Sequence, residues 1–357
     1  MSPHYWRWPS SAGWGGACAP MWRLSLPDSE IPEDGPDTAG SQGKPPAARA
    51  ASVRDRLLNL SRRPGQRAAY NALLRRYLQE RLLWRLALSE HRDRFVLKGG
   101  LRLVGAGFTW ARATKDIDLL GRSDPDLGRL EAIFRDVCRD DDGACQVADG
   151  AQYDPESVRA TPILENAEYG GVRVALVASL GTAREPMHVD VGFGDAVTPG
   201  PAPMLFPTLL DGMPAPHLLA YNDETTVAEK FETMIRRGLV NSRMKDFYDL
   251  YRFAQTVPFD GALLSLAVRR TFERRGTPFT PEPTVFTAEF AGDAGKATQW
   301  RAFRRSLGGA SVEAPDAFAG TLLVVRLFVG PVHDACREDS AFTDQWDPRA
   351  CSWWSGP

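Results

Sequence analysis

Apolar residues recur every three or four positions over residues 67–90, with polar and charged residues between them. This spacing gathers the apolar side chains on one face and predicts an amphipathic helix. The predicted apolar face consists of Tyr70, Leu73, Leu74, Tyr77, Leu78, Leu82 and Leu86. Similar spacing predicts further helices over 127–139, 223–239, 243–255 and 315–336, and Asn222 or Asp223 is suited to cap the second of these.

Short apolar runs predict the strands of a sheet. They cover residues 95–97, 116–120, 172–178 and 187–193, and the last run alternates around Asp190. The Pro-rich residues 199–216 predict a connection, after which helical patterns dominate. The order of elements therefore indicates an α+β fold, with a sheet-containing half followed by a mainly helical half.

The chain divides into three regions by composition. Residues 1–50 are rich in Pro, Gly, Ser and Ala without apolar periodicity, which predicts a disordered N-terminal extension. Residues 51–215 form the predicted sheet-containing core. Residues 216–357 form a predicted helical C-terminal domain, and we expect its Trp-rich tail to pack back onto the body. The tail tryptophans are Trp346, Trp353 and Trp354.

Overall composition indicates a soluble protein of the cytoplasm. The hydrophobic share of 43% is ordinary for a globular chain, and the net charge of −2 gives no global positive field. The five cysteines form no CxxC pair, which fits a reducing compartment. The first residues lack the charged head and apolar run typical of a signal peptide, and the late apolar run 321–330 is too short to span a bilayer. We therefore expect no membrane partner.

Arginine dominates the basic residues, since only six of the 43 basic residues are lysine. The planar guanidinium group suits bidentate phosphate recognition, although a genome that favours Arg codons produces the same excess. Several arginine clusters either track an RNA backbone or form solvated helix faces. They are Arg62-Arg63 with Arg67, Arg75-Arg76, Arg236-Arg237, Arg269-Arg270 and Arg274-Arg275.

The most specific chemistry lies in the predicted strand that carries Asp116 and Asp118. Residues two apart on a strand point to the same side, so the two carboxylates repel unless a cation lies between them. Asp190 sits between valines on a later strand and completes a set of three carboxylates suited to Mg²⁺. An alternative is that Asp190 caps an element or pairs with an arginine such as Arg173.

Gly99 and Gly100 precede this strand and allow a phosphate to approach the backbone closely. A glycine turn followed by paired carboxylates indicates metal-dependent chemistry on a nucleotide. Further along, Lys230 lies inside a predicted helix beside apolar positions. Its ammonium group either neutralises phosphate in a cleft or pairs with a neighbouring glutamate at the surface.

The sequence around these residues resembles the DNA polymerase β-like nucleotidyltransferase superfamily. More narrowly, residues 52–354 resemble the AbiEii/AbiGii toxin family, the nucleotidyltransferase toxins of type IV toxin–antitoxin systems. The matching segments are SVR at 52–54, DRFVLKGG at 93–100, RATKDIDL at 112–119, EKFE at 229–232 and RMKDFYDL at 243–250. The first 50 residues lie outside the resemblance.

The resemblance implies a polymerase β-like mixed sheet with flanking helices, followed by a mainly helical C-terminal half. It also implies roles for residues at matching positions. The implied metal ligands are Asp116, Asp118 and Asp190. The implied catalytic residues are these three with Lys230 and Asp246, although a structural salt bridge explains Asp246 equally well from spacing. The implied nucleotide-binding residues are Lys98, Gly99, Gly100, Arg112, Thr114, Lys230 and Lys245.

The implied activity is Mg²⁺-dependent transfer of a nucleoside monophosphate from an NTP to an acceptor. Some members of the family modify the 3′ end of tRNA, and this acceptor is our expectation here. Transfer to a protein or a small molecule, or a catalytically inactive module that binds a nucleotide or a partner, are the alternatives. The resemblance further implies a cognate antitoxin and a role in phage defence.

Overall fold

The structure is a computed structural model that describes residues 45–63, 69–139, 149–163, 170–307 and 314–355. Residues 41–357 form one compact unit. Of the predicted disordered extension, residues 1–44 lie outside the described residues. The prediction is wrong for residues 46–50, because helix α1 (Pro46–Ser61) begins there, with prolines at its start.

A mixed seven-stranded sheet forms the centre of the first half, in the order β3-β4-β5-β2-β1-β7-β6. Its neighbours pair antiparallel except at β2–β5 and β1–β7, which are parallel. The strands are β1 Phe95–Lys98, β2 Ile117–Gly121, β3 Ala151–Ile163, β4 Gly171–Leu180, β5 Ala183–Phe193, β6 Ala202–Leu205 and β7 His217–Ala220. The mixed sheet confirms the predicted fold class.

Helices flank this sheet and make up most of the second half. They are α2 Tyr70–Leu88, α3 Gly99–Gly105, α4 Leu127–Cys138, α5 Asp223–Arg237, α6 Met244–Thr256, α7 Gly261–Arg274, α8 Ala288–Gly292, α9 Ala294–Ser306 and α10 Phe318–Arg337. The predicted cap is confirmed, since the Asn222 side chain accepts a hydrogen bond from the Thr225 N–H at 2.8 Å. Each of the five predicted helices coincides with an observed helix.

The four predicted strands are confirmed, and three further strands of the sheet were not predicted. Strand β3 is an edge strand whose exposed positions carry charged residues, so its apolar pattern is weak. Strand β6 lies inside the Pro-rich connection and pairs with β7. Because β7 also pairs with β1, the sheet continues beyond the predicted domain boundary at residue 215.

Two large hydrophobic cores follow the two halves of the chain. The first lies between the sheet and helices α1, α2 and α4. The second lies among α5, α6, α7, α10 and the tail, and it also contains Leu103 of α3 and Trp110 from the first half. Helix α3 therefore starts at the sheet and ends in the second core.

The tail packs back onto the body through two of its three tryptophans. Trp346 is buried in the second core, and the Trp353 indole N–H donates to the carbonyl oxygen of Phe328 at 2.8 Å. Trp354 remains half exposed. A small sheet of β8 Phe259–Asp260, β9 Gln345–Asp347 and β10 Ser352–Trp354 fixes this arrangement.

Helix α10 is the one described helix that is long and apolar enough to cross a membrane by length and composition. Half of its most apolar stretch is buried in this protein, where the helix packs on α6 and α7. A core helix of a globular protein has the same length and composition.

Candidate active site

A strand–turn–helix unit places Gly99 directly against Asp118. Strand β1 ends at Lys98, and helix α3 begins at Gly99, whose φ of +68° lies in the left-handed region. A Cβ atom at position 99 would overlap the carboxylate of Asp118, while one at Gly100 would lie 3.1 Å from the Thr114 Cβ. At this turn the backbone lies directly against the side chain of Asp118. Only glycine, which has no Cβ atom, permits so close an approach.

We expect Gly99→Ala to destabilise the protein more than Gly107→Ala. Both glycines have positive φ, at +68° and +76°, but a Cβ at Gly107 meets nothing within 4 Å. Both variants bear the backbone strain, about 1 kcal/mol, and Gly99→Ala adds about 1–3 kcal/mol of overpacking against Asp118. Urea denaturation of the two variants measures the difference, and equal losses of stability would contradict the close approach.

The three predicted metal ligands lie at one end of the sheet. Asp118 of β2 and Asp190 of β5 are direct register partners on parallel strands. Asp116 precedes β2, and its carboxylate lies 3.4 Å from Nδ1 of His188. Burial raises the pKa of Asp118, and the negative charges of Asp190 and Asp116 add to the rise against Lys98 and Lys245. The carboxylate of Asp118 is therefore short of positive charge.

The alternative considered for Asp190, an ion pair with Arg173, is present in the structure. Nε and Nη2 of Arg173 donate to the two carboxylate oxygens at 2.8 and 2.7 Å. The residues face each other in the register of β4 and β5, which brings their side chains to the same face. The negative charge of Asp190 is therefore already compensated within the protein.

The donor set fits a divalent cation in part. No group of three or more His, Cys, Asp or Glu side chains in the described ranges is arranged to hold a metal ion. Asp190 is paired with Arg173. Asp116 and Asp118 remain, and Mg²⁺ is commonly bound by one or two carboxylates together with substrate phosphates. These two residues therefore fit a cation that arrives with a nucleotide.

The ammonium group of Lys230 lies between two buried carboxylates. Its Nζ donates to Asp246 at 3.1 Å and to Asp249 at 2.7 Å, and these aspartates also contact Arg243 at 2.6 Å and Arg112 at 3.3 Å. Burial acts to lower the pKa of Lys230, but the two aspartates raise it overall. Lys230 and Arg112, both expected to bind phosphate, are thus engaged within the protein and form a rigid wall of the cavity.

Lys245 differs from the other predicted phosphate-binding cations. It forms no hydrogen bond or ion pair with any part of the chain that the structure describes, whereas Lys98, Arg112 and Lys230 each contact a carboxylate. Burial and the nearby Arg243 lower its pKa, and Asp118 is among the charges that act on it. Its ammonium group is therefore the cation best placed to gain from an incoming phosphate.

A buried charge cluster beside Lys98 was not predicted. Lys98 Nζ donates to Asp195 at 2.6 Å and lies 3.7 Å from Glu229, and Arg275 contacts the same two carboxylates at 3.0 and 2.8 Å. The Tyr221 hydroxyl lies 3.2 Å from each of them. The adjacent charges of Glu229 and Lys230 were a signal in the sequence. Nothing in the sequence linked Arg275 to this site.

The pKa values of the two carboxyl groups in this cluster are shifted in opposite directions. Burial acts to raise the pKa of Asp195, but Lys98 and Arg275 hold it well below its usual range. Burial and the charge of Asp195 raise the pKa of Glu229 to about 7, against the effect of Lys98. As pH falls, Glu229 is therefore protonated before Asp195.

Glu229→Gln should flatten the dependence of stability on pH between 4.5 and about 7. Because its folded-state pKa is raised, the native state takes up a proton that the unfolded chain lacks between pH 4.5 and about 7. The free energy of unfolding of the wild type therefore falls as pH rises through this window, and the variant lacks this contribution. Urea denaturation of both proteins at several pH values tests the slope, and parallel curves would contradict the assignment.

All the predicted site residues line one cavity of about 460 Å³. The cavity opens at the end of β1, β2 and β5 and is closed on the other side by α5 and α6. The predicted residues that line it are Lys98, Gly99, Gly100, Arg112, Thr114, Asp116, Asp118, Asp190, Lys230, Lys245 and Asp246. Asp116 was expected on the strand, but β2 begins at Ile117, so Thr114 and Asp116 both precede it.

A known protein family matches the part of the chain that contains these residues. The family model described as the nucleotidyl transferase AbiEii toxin of the type IV toxin–antitoxin system matches residues 81–320, about two thirds of the chain. This match defines the class of the protein as a nucleotidyltransferase. The chain belongs to the AbiEii nucleotidyltransferase toxin family, which confirms the resemblance seen in the sequence.

Two solved structures are similar to the chain. A candidate nucleotidyltransferase from H. pylori shares 12% identity, with a TM-score of 0.43, over 77% of this chain and 100% of that one. JHP933 from Helicobacter pylori shares 13% identity, with a TM-score of 0.43, over 76% of this chain and 95% of that one. No curated protein matches the sequence.

Proposed function

We propose that this protein transfers a nucleoside monophosphate from an NTP to the 3′ end of tRNA in a Mg²⁺-dependent reaction in the cytoplasm. The observation that carries the proposal is the contact between the glycine turn and the acidic strand. Gly99 leaves no room for a side chain beside Asp118, so a triphosphate on this turn lies next to the carboxylates. The family membership supports the nucleotidyl transfer itself.

Each part of the cavity has a role in this reaction. Asp116 and Asp118 would hold the cation, which neutralises the triphosphate and stabilises the leaving pyrophosphate when bound. Lys245 would contact phosphate oxygens, and Gly99 and Gly100 would let the phosphates approach the backbone. Lys230, held by Asp246 and Asp249, keeps the opposite wall in place. Positioning of the two reactants supplies much of the rate in such transfers.

The identity of the acceptor rests on the family resemblance and on the arginines around the cavity. Arg236, Arg237 and Arg243 line the cavity, and their guanidinium groups could contact the backbone of a nucleic acid. A cognate antitoxin that binds the protein, and a role in phage defence, are further parts of the proposal.

Incubation of the purified protein with total tRNA, each labelled NTP and Mg²⁺ tests the function. We expect label on tRNA from one or more NTPs, and none with the Asp116→Ala variant. Label on a protein or a small molecule instead of tRNA would favour the alternative acceptors. Nucleotide binding that is independent of Mg²⁺ and is followed by no transfer to any acceptor would favour an inactive binding module.

A further inference from the structure

A second cavity of about 820 Å³ adjoins the nucleotide cavity. Phe193 and Asp195 line both, so the segment that follows β5 forms the boundary between them. Arg275 contacts Asp195 on the side of the nucleotide cavity, while the preceding residue, Arg274, donates to the carbonyl oxygen of Gly194 and lines the second cavity. Adjacent arginines thus reach the two sides of one short segment.

The second cavity extends along the strand that carries the acidic residues. Asp118 and Leu120 share one face of β2, and Arg122 directly follows the last residue of the strand, Gly121. A separation of four residues keeps Arg122 within about 14 Å of Asp118. Leu120 and Arg122 both line the second cavity, which therefore begins where the nucleotide cavity ends.

Arginine is the prevailing charged residue of this cavity. Arg122, Arg129 and Arg274 line it, and all three are exposed. Neither Arg122 nor Arg129 forms an ion pair within the described part of the chain. Of the two acidic residues in the lining, Asp195 is already paired with Lys98 and Arg275, which leaves Asp124. The exposed charges of this surface are therefore mainly positive, and they surround the apolar side chains of Leu120, Phe193 and Val197.

We propose that this second cavity, with Arg122, Arg129 and Arg274, binds the phosphodiester backbone of the acceptor as its 3′ end enters the nucleotide cavity. A single-stranded end presents phosphates at regular intervals, and arginine forks match them in geometry and charge. The second cavity directs the acceptor strand towards Asp118. This inference rests on the proposed function, because it assumes a nucleic acid as the acceptor.

Binding of a fluorescein-labelled single-stranded RNA of about 12 nucleotides, followed by anisotropy at several salt concentrations, tests the groove without turnover. In the triple variant Arg122→Ala, Arg129→Ala, Arg274→Ala, the slope of log K against log salt should become shallower by about 2, because three phosphate contacts are lost. The double variant Arg122→Ala, Arg129→Ala leaves the Gly194 contact intact and should change the slope by about 1.4. Replacement of the same three residues by lysine should retain most of the slope.

A matched control removes three exposed arginines elsewhere, by Arg301→Ala, Arg305→Ala and Arg349→Ala, and should leave the slope near that of the wild type. NTP binding in the presence of Mg²⁺ should be unchanged in every variant. A groove variant whose slope matches the wild type overturns the inference, as does label transferred to protein and not to RNA. If the wild type binds RNA but transfers no label to any acceptor, the proposed function is wrong, while the role of the second cavity in RNA binding stands.

Discussion

Replacement of Asp118 by alanine is expected to lower the rate of nucleotide transfer by about 10³-fold or more, because cation binding at the reacting phosphate contributes several kcal/mol. The folded state should not suffer. Burial and the neighbouring Asp116 and Asp190 already raise the pKa of Asp118, so its charged form is disfavoured in the native protein. We expect the midpoint of thermal unfolding without nucleotide to stay level or to rise.

Asp211→Ala is the matched control, since it removes an exposed carboxylate that lines neither the nucleotide cavity nor the second cavity. Transfer rates and unfolding midpoints of the two variants are measured side by side. A loss of activity in Asp118→Ala that accompanies a large loss of stability would show a structural role for this carboxylate, and retained activity would remove it from the site.

Lys230→Met should destabilise the protein by about 3 kcal/mol. The variant removes the ammonium group that lies between Asp246 and Asp249, both of which are almost completely buried. Breaking one side of a buried ion pair leaves an uncompensated charge, and such losses reach about 3–5 kcal/mol. The lower end applies because Arg243 and Arg112 still contact the two aspartates. Chemical denaturation at neutral pH provides the measurement.

A double variant separates this charge effect from a loss of packing. Lys230→Met with Asp249→Asn should recover part of the lost stability, because the carboxylate that contacts Lys230 at 2.7 Å no longer carries a charge. The control Lys296→Met removes another buried lysine, whose ammonium group contacts two backbone carbonyl oxygens and no carboxylate. In that background Asp249→Asn should recover nothing. Equal recovery in both backgrounds would contradict the role assigned to the ion pair.

The location of the site could be predicted from the sequence because its signals are local. Gly99 and Gly100 follow a strand directly, and one residue separates Asp116 from Asp118, so the chain itself holds the members of each pair close together. The confirmed helix cap at Asn222 is a local signal of the same kind. Such short-range patterns predict structure well because they depend on local backbone geometry and not on the rest of the fold.

The pair between Arg173 and Asp190 was among the alternatives considered from the sequence. The other charge pairs of the site could not be predicted, because they depend on distant parts of the chain. Arg275 reaches Asp195 across eighty positions, and Arg112 reaches Asp249 across 137. The sequence showed cations suited to bind phosphate, but it did not show that three of them are already neutralised. Strand β3 was missed for a related reason, since an edge strand with charged exposed positions lacks a strong apolar alternation.

Helix α3 begins at the glycine turn and carries Leu103 into the hydrophobic core of the second half, where Trp110 also lies. Any chimera that exchanges the C-terminal halves of two relatives must therefore preserve the surface that receives these two side chains. A truncation after the sheet would remove the residues that pack against Leu103 of α3. We expect the glycine turn to lose its close contact with Asp118 as a result. The glycine turn and the helical half are therefore expected to lose their structure together.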